Sequence, residues 1–156
     1  KEAFPHMDID AAVSRQFSEG IAILEDKKSK GLLKDKVIIM LGTNGAIRDE
    51  DMQALLLALD GRETYFITTH VPRSWEGQVN KLLTQTAYEQ SMIKLVDWQA
   101  FVAGHDDWLY GDEIHPNDEG AKGFTHMLAR SLYYQDGQIN TSYGSYLSQA
   151  VKGVHP

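Results

Sequence analysis

The sequence predicts an α/β fold, a parallel sheet with helices over both faces in a three-layer α/β/α sandwich. Three observations carry that prediction. Strand-like and helix-like patterns alternate along the chain with short connections, the order that builds a parallel sheet from crossover units. A continuous apolar run, Val37-Ile38-Ile39-Met40-Leu41, stops at Gly42, as suits a strand buried on both faces. The 156 residues are 42% hydrophobic and 24% charged, an ordinary globular composition. A domain of this size buries on the order of 70% of its unfolded surface, so it needs no metal or disulfide staple.

The elements follow in order. Met7, Ile9, Ala11 and Val13 alternate with Asp8, Asp10 and Ala12, which is strand period over 7–13. Phe17, Ile21 and Leu24 share a helical face within 16–33, and the lysine-rich turn follows. The run 37–41 is the second strand. Met52, Leu55, Leu56 and Leu59 give an amphipathic helix over 49–59, with Asp49, Glu50 and Asp51 in its first turn where acidic side chains suit the helix dipole. Residues 65–69 read as a strand, 76–91 as a helix carrying Val79, Leu82, Leu83 and Ala87, and 93–97 as a strand. Ala121, Phe124, Thr125, Leu128 and Leu132 mark the last helix, over 118–134. We read one domain over 1–135 and a Gly-, Ser- and Gln-rich tail over 136–156, with a short helix near 146–151. The chain opens in mid-pattern at Lys1, so the sheet is expected to lack its first strand within these residues.

The charge balance narrows the partners. Fifteen Lys and Arg stand against 22 Asp and Glu, a formal net charge of −7. Phosphate binding wants a clustered basic face, so a nucleic-acid partner is not expected. The densest basic stretch, Lys27-Lys28-Ser29-Lys30, lies beside Glu25 and Asp26 and reads as a solvated helix face. There is no cysteine, which removes disulfides, thiolate metal sites and a thiol nucleophile. No run of ~18 apolar residues is present to span a membrane.

Open α/β sheets bind ligands beyond the carboxyl ends of their strands. Three segments fall there: Gly42-Thr43-Asn44-Gly45, His70-Val71-Pro72-Arg73-Ser74-Trp75, and the loop Tyr110-Gly111-Asp112-Glu113-Ile114-His115-Pro116-Asn117. A glycine after a buried strand permits a sharp turn, and an asparagine amide beside it can donate to a developing oxyanion. The bland alternative is a plain turn. Asp112 stands three residues before His115, and a carboxylate there can set the imidazole tautomer and stabilise the imidazolium. That spacing alone equally fits a turn cap beside a loop histidine. Arg73 and Trp75 could line a glycan groove, or Trp75 could pack at the loop base. His105, Asp106 and Asp107 with Asp112 and His115 have metal-ligand chemistry, but adjacent side chains point apart, so no metal is assigned. For Trp108 and Tyr110, anchoring the loop in the core is the preferred reading over walling the site.

Gly42-Thr43-Asn44 resembles the third block, and Asp112 with His115 the fifth block, of the SGNH (GDSL-like) hydrolase family. The chain looks most like the C-terminal extracellular SGNH domain of bacterial peptidoglycan O-acetyltransferases linked to acyltransferase-3 membrane proteins. Val13-Ser14-Arg15-Gln16, Val71-Pro72-Arg73-Ser74-Trp75-Glu76 with Val79-Asn80, and the run from Gly104 to Asp112 all share in that resemblance. It covers roughly residues 4–132.

The resemblance implies a flavodoxin-like sheet and a Ser-His-Asp triad that needs no cofactor. His115 would be the general base and then the general acid, and Asp112 its orienter. Asn44 would be an oxyanion donor, with backbone support from Gly42 and from Ser14, which stands where the family has glycine. The block bearing the nucleophile, Gly-Asp-Ser, is absent from these residues, and its serine is expected upstream of Lys1. The implied activity is O-acetyl transfer to muramyl residues of peptidoglycan from an acyl donor. The implied setting is a monomeric domain outside the cell, tethered through an upstream transmembrane acyltransferase domain. Two other readings stay open: a carbohydrate or lipid esterase of the same fold, and a nucleophile-less glycan-binding module.

Overall fold

Val37 and Ile39 are the buried residues of the first strand, β1 (Lys36–Ile39), spaced by the strand period of two. β1 runs parallel to β2 (Glu63–Ile67), which runs parallel to β3 (Ile93–Val96). Ile39 lies opposite Phe66, and Phe66 opposite Leu95. The computed structural model describes residues 4–135, 138 and 139. They form two compact units: residues 11–103, and residues 4–10 with the described residues from 104 onward.

In the first unit, three helices clothe this sheet: α1 (Phe17–Ser29), α2 (Asp49–Leu59) and α3 (Glu76–Glu89). Ile21 and Leu24 of α1, Met52, Leu55 and Leu59 of α2, and Val79 and Leu83 of α3 gather around Ile39 and Phe66 in one apolar cluster. Burial of such side chains contributes on the order of 1.5–3 kcal/mol each before the entropy cost is counted. Tyr65 and Ile67 point opposite to Phe66 by strand alternation and are equally buried, so both faces of β2 are covered. A short helix, α4 (Trp98–Val102), follows β3 and buries Trp98 and Val102. Asp97 caps it, its Oδ1 accepting from the Ala100 N–H at 3.0 Å.

Two expectations about strands are corrected. Residues 7–13 form no strand: residues 8–14 are exposed, with Val13 97% accessible. Alternation alone cannot hold a strand without a neighbour to hydrogen-bond to, and none runs beside this segment among the described residues. The run 37–41 is not buried on both faces. β1 is an edge strand of the described three-stranded sheet, Ile38 is half-buried and Met40 is exposed. The doubly buried strand is the next one, β2, where Thr64 through Ile67 are all buried.

The lysine-rich stretch closes α1 as a solvated end. Lys28 reaches the Leu57 carbonyl (3.2 Å) and the Asp60 carboxylate (3.3 Å), and Lys30 reaches Asp26 (2.7 Å). Cations there also suit the helix C-terminus.

The second unit is built on α5 (Asp118–Tyr133). Its bounds match the reading, but its buried face does not. Gly120, Met127, Leu128 and Ala129 are buried while Ala121 is exposed. The inward face is completed by Gly120 and Gly123, which carry no hydrophobic signal and so shifted the apparent stripe. Phe4 packs against Tyr133 with ring centroids 6.3 Å apart. β4 (Tyr134–Gln135) pairs antiparallel with β5 (Gln138–Ile139), so a strand lies within the expected tail. The helix expected near 146–151 and the chain's first three residues lie outside the described residues. Among the described residues no helix is long and apolar enough to cross a membrane.

Candidate active site

The loop before α5 is held at both ends by backbone pairing. Leu109 and Pro116 form an antiparallel bridge, flanked by Asn117 N–H to Trp108 O and Tyr110 N–H to His115 O, both 2.9 Å. Asn117 caps the start of the helix. Its Oδ1 accepts from the Glu119 and Gly120 N–H groups at 3.1 Å, and its Nδ2 donates to the Asp107 carbonyl at 2.6 Å. Trp108 lies on the helix surface, its ring against the Gly123 Cα and its carbonyl against that of Gly120, where a Cβ would collide. His105 stacks on the Trp108 ring at 3.9 Å, with the planes 15° apart. Trp108 thus takes the anchoring role, as preferred from sequence. Tyr110 does not: it is 56% exposed.

Inside this clamped loop sits the pair that the sequence singled out. His115 Nδ1 is 2.7 Å from Asp112 Oδ2, while Asp112 Oδ1 accepts the backbone N–H groups of Ile114 and His115, each at 3.0 Å. Glu113 takes a left-handed backbone (φ 59°) to let the chain turn back. The His115 N–H, then its ring, then the Ile114 N–H hold the Asp112 carboxyl down at about 2. An ionised carboxylate only accepts hydrogen bonds, so Nδ1 carries the proton. In the neutral imidazole Nε2 is then the basic nitrogen, and the ring is well exposed. This arrangement can take a proton from a hydroxyl and return it to a leaving group.

The remaining candidates lie in the unit of residues 11–103. Gly42 turns the chain after β1 with φ 120°, a conformation side chains rarely adopt. The Asn44 amide donates one N–H to the Arg15 carbonyl at 3.1 Å. A primary amide has two, so the second is available to another acceptor. Ser14 has φ 59°, the left-handed conformation that glycine takes without cost, at the position where the resembled family carries glycine. Gln16, two residues on at the start of α1, donates from Nε2 to the Ser14 carbonyl at 3.2 Å.

Beside Asn44 a clamp joins Thr43, Thr69 and Asn80. Thr43 Oγ1 meets Thr69 Oγ1 at 2.9 Å. Buried Asn80 takes both the N–H and the carbonyl of Thr69 at 2.8 Å. A buried asparagine on the inner face of α3 is the signal that could have found this clamp, since buried amides are there to be satisfied.

Arg73 is exposed and donates to the Pro72 carbonyl at 3.1 Å. Trp75 packs partly buried against the apolar cluster, with its indole nitrogen unpaired among the described residues. Glu76 accepts the Val71 N–H at 2.8 Å and stands 3.5 Å from His70 Nδ1, which ties down the loop that carries Arg73. Among the described residues no three His, Asp or Glu side chains are grouped to hold a metal ion.

Relatives give this site a context. O-acetyltransferase OatA of Staphylococcus aureus (strain NCTC 8325 / PS 47) is 33% identical over 129 residues, covering 82% of this chain and 21% of that protein. Peptidoglycan O-acetyltransferase OatA of Listeria monocytogenes is 32% identical over 128 residues, covering 82% of this chain and 20% of that protein. The chain therefore spans about a fifth of the length of these relatives. No protein-family model matches it. Among solved structures it resembles the C-terminal catalytic domain of Streptococcus pneumoniae peptidoglycan O-acetyltransferase A with a methylsulfonyl adduct. The TM-score is 0.75 at 21% identity, over 84% of this chain and 82% of that one. Sequence and fold agree: over about four-fifths of its length the chain is homologous to part of the peptidoglycan O-acetyltransferases, and its fold resembles that of the C-terminal catalytic domain of one of them.

Proposed function

We propose that this domain catalyses O-acetyl transfer on peptidoglycan through a seryl acyl-enzyme. The observation that carries the reading is the Asp112–His115 pair, ionised carboxylate to Nδ1 at 2.7 Å, in a chain whose relatives are named for that transfer. His115 Nε2 takes the proton of a serine hydroxyl as that oxygen attacks the acetyl carbonyl. It then gives the proton to the departing alcohol, leaving an acetyl-serine. A muramyl hydroxyl, deprotonated in turn by Nε2, attacks the acetyl-serine and regenerates the serine. Asn44 would donate to the oxyanion formed at each stage. The serine is one that these 156 residues do not supply, since they hold no Gly-Asp-Ser. Acting on cell-wall glycan implies an extracellular setting. A tether to a membrane acyltransferase domain, a separate acyl donor and a monomeric state belong to the same proposal.

The test is transfer of acetyl from an activated ester to a chito-oligosaccharide by the full natural protein, followed by intact mass after a fluorophosphonate probe. Acetylated oligosaccharide, and a single adduct that is lost in His115→Ala, support the reading. Acetyl released only to water makes the domain an esterase. Saturable glycan binding with neither turnover nor adduct makes it a binding module.

A further inference from the structure

The loop that carries His115 also presents an aromatic ring that no structural role requires. Leu109 and Pro116 form the bridge, with hydrogen bonds from Asn117 N–H to Trp108 O and from Tyr110 N–H to His115 O. That pattern makes Leu109 and Pro116 directly opposed and, one step further along the register, brings Tyr110 across from His115. Opposed residues of an antiparallel pair project to the same face, with Cβ atoms about 4.5–5.5 Å apart. The register of the bridge thus sets Tyr110 across the loop from His115, joined by the Tyr110 N–H to His115 carbonyl bond. Both are exposed, Tyr110 at 56% and the His115 side chain at 72%.

The exposure does not come from a loose loop. Trp108 holds it to α5 through Gly120 and Gly123, Asn117 Nδ2 bonds the Asp107 carbonyl, and the Glu113 N–H bonds the Tyr110 carbonyl at 2.9 Å. The Tyr110 backbone is thus fixed from both of its peptide groups, while its ring contributes little burial. A large aromatic left in water, on a backbone pinned by other residues, is a preorganised contact surface. Its surroundings select the ligand. Asp106, Asp107, Asp112, Glu113, Asp118 and Glu119 surround it in sequence and would repel an anion. A neutral pyranose offers a face of C–H bonds that suits the negative face of an aromatic ring.

We infer that Tyr110 is a substrate-positioning residue, a stacking platform for the sugar ring whose hydroxyl or ester reaches His115. This rests on the proposed glycan chemistry. It adds a prediction that the dyad does not make: sugar recognition and proton transfer are separable on one hairpin.

The test compares Tyr110→Ala, Tyr110→Phe and Tyr110→Trp in the full natural protein. Chito-oligosaccharide serves as acceptor, and vinyl acetate hydrolysis serves as a sugar-free reaction. Tyr110→Ala should raise KM for the oligosaccharide about tenfold, the equivalent of about 1.4 kcal/mol. Its vinyl acetate kcat/KM should stay near that of the natural protein, and Phe and Trp should restore the oligosaccharide KM. Normal turnover with an unchanged oligosaccharide KM in Tyr110→Ala overturns the platform and leaves the function standing. Equal losses on both substrates assign Tyr110 to holding the loop and also overturn it. If the natural protein neither acetylates nor binds the oligosaccharide, the glycan reading fails and the platform with it.

Discussion

His115 is bound to Asp112 twice: its backbone N–H reaches Oδ1 at 3.0 Å and its ring Nδ1 meets Oδ2 at 2.7 Å. One carboxylate therefore sets both the turn of the chain and the tautomer of the ring. The backbone bond keeps the imidazole close even in an exposed loop, where a lone surface ion pair would contribute little.

Asp112→Asn separates these duties. The amide oxygen can still accept both backbone N–H groups that Oδ1 holds, but the side chain no longer enforces the Nδ1–H tautomer or stabilises the imidazolium. Turnover should fall by about 10⁴-fold, the order seen for this change in a serine-protease triad, with the loop intact by amide exchange. Unchanged turnover would remove Asp112 from the mechanism.

Asn44→Ala tests the oxyanion role. Loss of one such donor typically costs about 2.7–4 kcal/mol of transition-state stabilisation, read as a fall in kcat with little change in KM. A change confined to KM would make Asn44 a binding or loop-shaping residue instead. Asn80→Ala should act through stability. It strands the N–H and carbonyl of Thr69, both held at 2.8 Å, at about 1–3 kcal/mol per unsatisfied group. Thermal melting should drop by several degrees.

Two glycines should respond to alanine in opposite directions. At Gly77, near the start of α3, an added Cβ meets nothing, and the gain in helix propensity should stabilise by about 0.5–1 kcal/mol. At Gly120 the Cβ meets the Trp108 carbonyl, a backbone atom that cannot swing aside. Gly120→Ala should destabilise by about 1–3 kcal/mol and speed amide exchange over 108–117. Equal effects in denaturant unfolding would mean that Trp108 is not the anchor.

The amino ends of the strands carry a charge network. Partial burial pushes the Glu63 carboxyl up. The Tyr65 hydroxyl at 2.7 Å, with the Lys94 and Lys36 ammonium groups at 2.9 and 3.1 Å, outweighs that and holds it at about 2. A carboxyl depressed from 4.5 contributes stability that is full above that value and is lost as pH falls toward about 2. Tyr65→Phe should cost about 1.5–3 kcal/mol at pH 7 and progressively less between pH 4.5 and 2. A penalty that stays constant across that window would assign the loss to packing.

Local pattern determined much of this protein. The bounds of α2, α3 and α5, the strands β1 to β3, the Asn117 cap and the Asp112–His115 pair are all set by residues within a few positions of one another. Periodicity, capping and a three-residue turn are local physics. Tertiary structure decided the rest. Residues 7–13 paired with no strand among the described residues, and 8–14 stayed exposed. Among the described strands the apolar run at 37–41 lies at one side of the sheet, while β2 takes the centre. Gly120 and Gly123, silent in any hydrophobic count, became the seat of Trp108, and buried Asn80 became the clamp on the Thr69 backbone. Which strand lies beside which, and which side chain a glycine admits, depend on contacts between residues far apart in the chain. Those contacts exist only once the apolar faces have chosen their partners.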